Sequence, residues 1–309
     1  MKTHVSPLFR HDRTFPHRQV NDPVEYAATI LPLPAFPAGR GSREPAAFDL
    51  SVVIPAYNEV RRLPATLDRL STWTAALPWQ VELIVVDDGS GDATVDLAVD
   101  HPCRCGVIRL LRNAGKGAAV RAGMLEARGR VVAFTDADLP YRMEALEHAY
   151  DSIEAGRAEV VYGARDLPES AAMVRRAAHR SLASAAYRLL MGMVISRQVR
   201  DTQCGLKAFS RQAAVEIFQR VHTDGFAFDA EAILVTRRLG LATALVPVVL
   251  VNEAGSTVSL RRHAPRMLRD IVRSKLRHAR GAGPRLTAMP DYEVLRTAVP
   301  GVDRIRRAA

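Results

Sequence analysis

The chain has 309 residues, 48% hydrophobic and 25% charged, which suits one large domain with a buried core plus appendages and excludes disorder throughout. Its three cysteines, Cys103, Cys105 and Cys204, make no disulfide framework, and Cys103-x-Cys105 lacks the second pair of a zinc site, so a reducing compartment is the simple reading. No stretch reaches the roughly 18 uncharged apolar residues of a membrane span, and no apolar signal core follows Lys2 and His4.

Residues 1–49 carry seven of the eighteen prolines and no helical or alternating period, which marks a leader outside the fold. From Leu50 onward apolar runs alternate with segments of helical period. The runs are LSVVIP (50–55), VELIVVD (81–87), GVIRLL (106–111), VVAFTD (131–136) and AEVVYGA (158–164), with helices expected near 62–76, 91–101, 116–128 and 143–156. This order predicts an α/β fold, a mostly parallel sheet with helices on both faces. Ligands then bind outside the carboxyl ends of the strands. Polar clusters fall at those ends: PAYNE (55–59), DDGSGDAT (87–94), RNAGKG (112–117), DAD (136–138) and GAR (163–165). Five such clusters along one sheet edge describe a single site.

Asp136 and Asp138, spaced i, i+2 at a strand exit, can share one divalent cation through hard oxygen ligands. A bare Asp-x-Asp is more often a capped turn; the neighbouring clusters reverse that. Asp87 and Asp88 sit on a glycine-rich turn where a carboxylate can accept from a base N–H or a ribose hydroxyl, and Asp92 or Thr94 can start the next helix. NAGKG lacks the first glycine of a P-loop and has Ala118 where a hydroxyl belongs, so Lys116 is solvated or phosphate-facing and no Walker lysine.

SVVIPAYNE, VVDDGSGDAT, NAGKGAAVRAGM, TDADLP, DTQCGLKAF and FAFDAEAI, in this order over residues 50–281, together resemble the family 2 glycosyltransferases of GT-A (Rossmann-like) fold. VRDTQCGLKAF with FAFDAE is most similar to the polyprenyl (dolichyl) phosphate glucosyl- and mannosyltransferases, and within these to the β-glucosyltransferases. The resemblance implies an inverting, metal-dependent transfer of a hexose from a nucleotide-sugar to a polyprenyl phosphate. It places Pro55, Tyr57, Glu59, Asp87 and Asp88 on the donor nucleoside, Lys116 and Asp136 on the donor, and Asp136 and Asp138 on Mg²⁺ or Mn²⁺. An acceptor phosphate is already anionic, so no strong base is needed. Asp229 in FDAE could orient the sugar or acceptor, act as a weak base, or cap its helix. Arg165 and Arg176 are candidate catalytic arginines, and Arg175, Arg180 and Lys207 candidate ligands of the acceptor phosphate. Any single one of Arg175, Arg176 and Arg180 reads better as a solvated helix face, and Cys204 as a small core residue rather than a nucleophile. In mannosyl-type relatives a Gln often stands two residues after the second Asp of DAD; Pro140 stands there here, which tilts the donor toward UDP-glucose over GDP-mannose.

The net charge of +10 is unevenly placed: residues 261–280 hold eight Arg or Lys against Asp270 alone, and 170–200 hold six arginines and no acid. In 264–280 the helical period sets Met267, Leu268, Ile271, Val272 and Leu276 toward one side among basic residues, as for an interfacial helix on an anionic membrane; residues 171–195 are similar. Ordinary packing of both helices on the sheet is the plain alternative. No aromatic interleaves 261–280, which argues against nucleic acid. The domains expected are a leader (1–49), a GT-A domain (50–255), a basic amphipathic segment (256–285) and a tail (286–309). The localisation expected is cytoplasmic, peripheral on the cytoplasmic membrane face where the acceptor is lipid. A soluble phosphorylated or hydroxyl acceptor, and a non-catalytic nucleotide-sugar binder, stay open as other readings.

Overall fold

The computed structural model describes residues 46–165, 167, 170, 204–251 and 260–296. The chain runs β1 (Phe48–Ala56), α1 (Leu63–Ala75), β2 (Val81–Asp87), α2 (Thr94–Asp100), β3 (Gly106–Leu110), α3 (Lys116–Glu126), β4 (Gly129–Phe134), α4 (Glu144–Glu154) and β5 (Val160–Ala164). It continues with β6 (Lys207–Ser210), α5 (Arg211–Phe218), α6 (Phe228–Leu239), β7 (Thr243–Pro247), α7 (Leu260–Arg277) and β8 (Tyr292–Arg296). The five apolar runs are five strands and the four intervening segments are helices, as the alternation of periods predicts.

One eight-stranded sheet has the order β7-β5-β6-β4-β1-β2-β3-β8. Its parallel heart is β4-β1-β2-β3, with β5-β7 also parallel. β6 lies between β4 and β5, antiparallel to both. The hydrophobic pattern could not reveal this, because KAFS is only four residues long and lies beyond the regular alternation. Two boundaries also shift: β1 begins inside the stretch assigned to the leader, and part of the tail forms β8, antiparallel to β3.

The central strands β1, β2 and β4 are buried on both faces, and their alternation sorts the core into two layers. Val53, Val86, Val132 and Phe134 face α3, α5 and α6. Val52, Ile54, Val85 and Val131 face the layer of α1 and α4. α3 is built from small residues because it sits hard against the sheet: a methyl at Gly123 would collide with Val53 and Val86. α7 packs onto the first layer through Met267 and Ile271, with Ser274 and His278 buried beside them. Leu268, Val272 and Leu276 instead face outward, 42%, 45% and 71% exposed. The five apolar residues expected on one side therefore divide between two, because they span too wide an arc for α7 to bury against a single neighbour. Among the described residues no helix is long and apolar enough to cross a membrane.

Candidate active site

The carboxyl ends of β1, β2 and β4 bring the acidic motifs to one edge, and hydrogen bonds lace their loops together. Asn58 and Ser90 exchange bonds across two loops: Asn58 N–H donates to Ser90 Oγ at 2.8 Å and Gly91 N–H to Asn58 Oδ1 at 3.0 Å. Asp92, one residue before the cap position of α2 at Ala93, accepts from the backbone N–H of Thr94 at 3.0 Å, and Thr94 Oγ1 accepts from Glu59 N–H at 2.8 Å. Asn58 adopts φ 54°, and so does Leu139, at φ 41°, in the turn after Asp138. A leucine in this left-handed region is costly, and it holds where its surroundings over-determine it. Here Leu139 is fully buried and donates to the Asp136 carbonyl at 3.0 Å, Thr66 Oγ1 donates to the Ala137 carbonyl at 2.5 Å, and Val251 N–H to the Pro140 carbonyl at 2.8 Å.

Around that turn the charges alternate in sign. Lys116 Nζ lies 2.5 Å from Asp136 Oδ1, and its ammonium is held above its ordinary range: burial opposes the charge, but Asp136, Asp229 and Asp138 outweigh it. Asp138 is pushed up, first by burial and then by the charge of Asp136. Asp229, at the start of α6, is also pushed up by burial, against the pull of Lys207 and Lys116. Gly205 closes the far side, where a methyl would collide with the Asp136 carboxylate. Among the described residues no cluster of three or more His, Cys, Asp or Glu forms a closed metal cage. Asp136 and Asp138 remain as two hard-oxygen donors of an open site, a set that fits Mg²⁺ or Mn²⁺ with other positions left to substrate and water.

The residues expected on the nucleoside divide into two groups. Asp87 is fully buried; its Oδ2 accepts from Ser90 N–H at 3.0 Å, while Oδ1 has no partner among the described residues. A buried acceptor left unpaired is costly and marks a place for a donor. Tyr57 is 48% exposed at the end of β1. Pro55 pairs in register with Val86, and Glu59 is clamped by both Arg62 Nε and Nη2 at 2.6 Å. Asp88 is otherwise engaged. Its carboxylate is nearly buried and accepts from Ala114 and Gly115 N–H at 2.8–3.0 Å, so it ties down the loop ahead of α3.

Lys207 also departs from its expected place. It is fully buried, donating to Asp229 Oδ1 and to the Cys204 carbonyl, both at 2.7 Å, and it stands 5.3 Å from the centroid of the Phe134 ring. In this arrangement its head faces Asp229 and not solvent: β6 is interior, so its first residue points into the protein. Arg165 follows β5 at the same edge and is partly exposed. Arg175, Arg176 and Arg180 lie outside the described residues. Cys204 is fully buried, as expected of a core residue.

Two features escaped the sequence reading. The N-terminus of α3 is stopped by protein: the Asp224 carbonyl accepts from Gly117 N–H at 2.7 Å and Ala118 N–H at 3.2 Å. A carbonyl in a loop leaves no sequence signal. Glu231, fully buried, accepts from His222 and Thr223 N–H at 3.0 and 2.7 Å, and from Arg277 Nη1 and His278 Nε2 at 2.8 and 2.9 Å. FDAE displayed this glutamate, two residues past Asp229, without showing its partners.

A sheet of this order with an acidic pair at the β4 exit is a glycosyltransferase architecture. Residues 51–218 match the profile of glycosyl transferase family 2, and the chain belongs to that family. More particularly, it is similar to the dolichyl-phosphate beta-glucosyltransferase of Drosophila melanogaster, 35% identical over 253 residues and 76% of each chain. The human protein of the same name is 31% identical over 248 residues, 75% of this chain and 76% of its own. Among solved structures, mannosyl-3-phosphoglycerate synthase from Rubrobacter xylanophilus has a TM-score of 0.58 at 20% identity, covering 84% of this chain and 86% of that one. Glucosyl-3-phosphoglycerate synthase from Mycobacterium tuberculosis, in complex with Mn²⁺, UDP and glucosyl-3-phosphoglycerate, has a TM-score of 0.54 at 21% identity, covering 85% and 87%. These two structures support the fold.

Proposed function

We propose that this glycosyltransferase moves glucose from UDP-glucose to a polyprenyl phosphate of the dolichyl type, with inversion at the anomeric carbon. The observation that carries the reading is the convergence of Asp136, Asp138, Lys116 and Asp229 in a chain whose relatives over three quarters of its length are dolichyl-phosphate beta-glucosyltransferases. The unpaired Oδ1 of Asp87 suits a ring N–H of the base, and the exposed Tyr57 suits its face. Pro55 and Glu59 shape the same edge.

Asp136 and Asp138 would hold Mg²⁺ or Mn²⁺, which would offset the charge of Asp136 that adds to burial in pushing Asp138 up. Bound there, the ion offsets charge on the departing diphosphate. Lys116, kept cationic, adds a second positive charge on the donor side. An acceptor phosphate oxygen forms the new bond to the anomeric carbon as UDP leaves, and Asp229 orients the acceptor or sugar. Arg165, with Arg175, Arg176 and Arg180, supplies positive charge against the repulsion of two anionic substrates. The preference for UDP-glucose over GDP-mannose rests on the names of the relatives and on Pro140.

A lipid acceptor requires a route to a bilayer, and the outer face of α7 supports one. Leu268, Val272 and Leu276 stand one turn apart, with exposed Arg266, Arg269, Arg273, Lys275 and Arg280 around them. On this reading the chain works peripherally on an anionic, cytoplasmic membrane face.

The test is release of UDP from UDP-glucose with polyprenyl phosphate and Mn²⁺, beside GDP-mannose and beside small phosphorylated acceptors. Turnover with UDP-glucose and the lipid, lost by at least about 100-fold in Asp138→Ala, is the expected result. Unchanged turnover in Asp138→Ala would overturn the metal assignment. Turnover only with small acceptors, and no flotation with anionic vesicles, would overturn the lipid one.

A further inference from the structure

We infer that Lys207 is a positioning residue for Asp229 and that CGLK, residues 204–207, is an internal brace of the active site; the inference rests on the reading of Asp229 as a site residue. Two of the three ammonium donors are taken, and the head lies beside an aromatic ring. One donor goes to Asp229 Oδ1, one to the Cys204 carbonyl, and the head stands over the Phe134 ring. Among the described residues Lys207 is the only hydrogen-bond donor to Asp229. One carboxylate oxygen is thereby pinned from behind, and the other is left to the reacting groups.

The backbone explains why this lysine does not swing outward. β6 is hydrogen-bonded on both sides, and Lys207 pairs in register with Phe134 and Tyr162. Releasing its head to reach a phosphate would leave a carboxylate with little access to water unpaired, which burial makes strongly unfavourable. Two residues earlier, Gly205 is flush against Asp136, where any side chain would displace the carboxylate. One short segment thus sets both acids, Asp136 by the absence of a side chain and Asp229 by a charged one. The order along the site is Asp136, Lys116, Asp229, Lys207, with each charge next to its opposite.

The experiment compares Lys207→Met, Asp229→Asn and the double variant, which replaces the buried charges by neutral groups of similar size. With UDP-glucose and polyprenyl phosphate, Lys207→Met is expected to lower kcat about 10-fold or more with acceptor KM within about twofold, and to cost less than about twofold further in the Asp229→Asn background. A raised acceptor KM with kcat retained would make Lys207 a phosphate ligand and overturn the inference. So would an equal loss in both backgrounds. The melting midpoint is read on the same proteins: Lys207→Met lowers it and the double variant recovers most of the loss. That arm stands even if UDP-glucose proves not to be the donor, and a double variant no more stable than Lys207→Met would overturn the pairing.

Discussion

Asp229 and Glu231 are two residues apart in the first turn of one helix, both buried and both facing cations, yet their carboxyl groups move in opposite directions. Burial pushes Asp229 above the ordinary range, and Lys207 and Lys116 recover only part of that. Burial also opposes the charge on Glu231, but bonds from His278 and Thr223 and the charge of Arg277 outweigh it and bring it to about 2. The difference lies in the number of donors: four for Glu231, and one for Asp229 among the described residues. A carboxylate with every lone pair engaged is scaffold. One held by a single bond keeps an oxygen for a substrate, at some cost in stability.

The largest test of this contrast removes Glu231. Glu231→Leu leaves two N–H groups, the His278 ring and the Arg277 guanidinium without their acceptor, and chemical denaturation should show a loss of about 3–5 kcal/mol. A loss under about 1 kcal/mol would show that these four bonds are not what ties α6 to the 222–223 loop and to the end of α7. Next comes Asp229→Asn, expected to lower kcat by about 100-fold, or about 2.7 kcal/mol, and to abolish an acid limb lying above the ordinary carboxylate range. An acid limb that persists in Asp229→Asn belongs to another group.

The smallest effect is in the pH dependence of stability. Glu231 has a folded value of about 2, below its ordinary 4.5, so its contribution is complete above about 4.5 and is lost as pH falls toward 2. Asp229, raised from 3.8, acts the other way and opposes folding as pH rises through its shifted value. Unfolding free energy measured down the acid range should fall less steeply between pH 4.5 and 2 in Glu231→Leu than in the parent. Parallel curves would remove Glu231 from the acid transition.

How far the sequence displays this arrangement depends on the range of the interactions. The strands of the parallel heart announce themselves because each is a local apolar run, and DAD, PAYNE and NAGKG stand out because each follows one. Asp136 and Lys116 were legible as polar residues at strand ends, although their pairing across twenty positions was not. The pairing of Lys207 was hidden for the same reason. Its surroundings come from β4, α6 and its own strand, and a lysine in a motif carries no sign of whether its head points in or out. The engagement of Asp88 was not legible because the N–H groups it accepts from belong to a loop 26 residues on. The α7 stripe was half legible: helical period identifies five apolar positions but cannot say that Met267 and Ile271 have a partner in the core while Leu268, Val272 and Leu276 do not.

The pairing of β8 with β3 has a consequence for handling the protein. Without β8, β3 would present a row of unsatisfied N–H and C=O groups, flanked by the exposed Leu111, to any other extended chain. A truncation before Asp291 that spares every residue named in the catalytic machinery would still open this ladder. Its symptom would be self-association through strand addition, with the chemistry of the intact monomer unchanged.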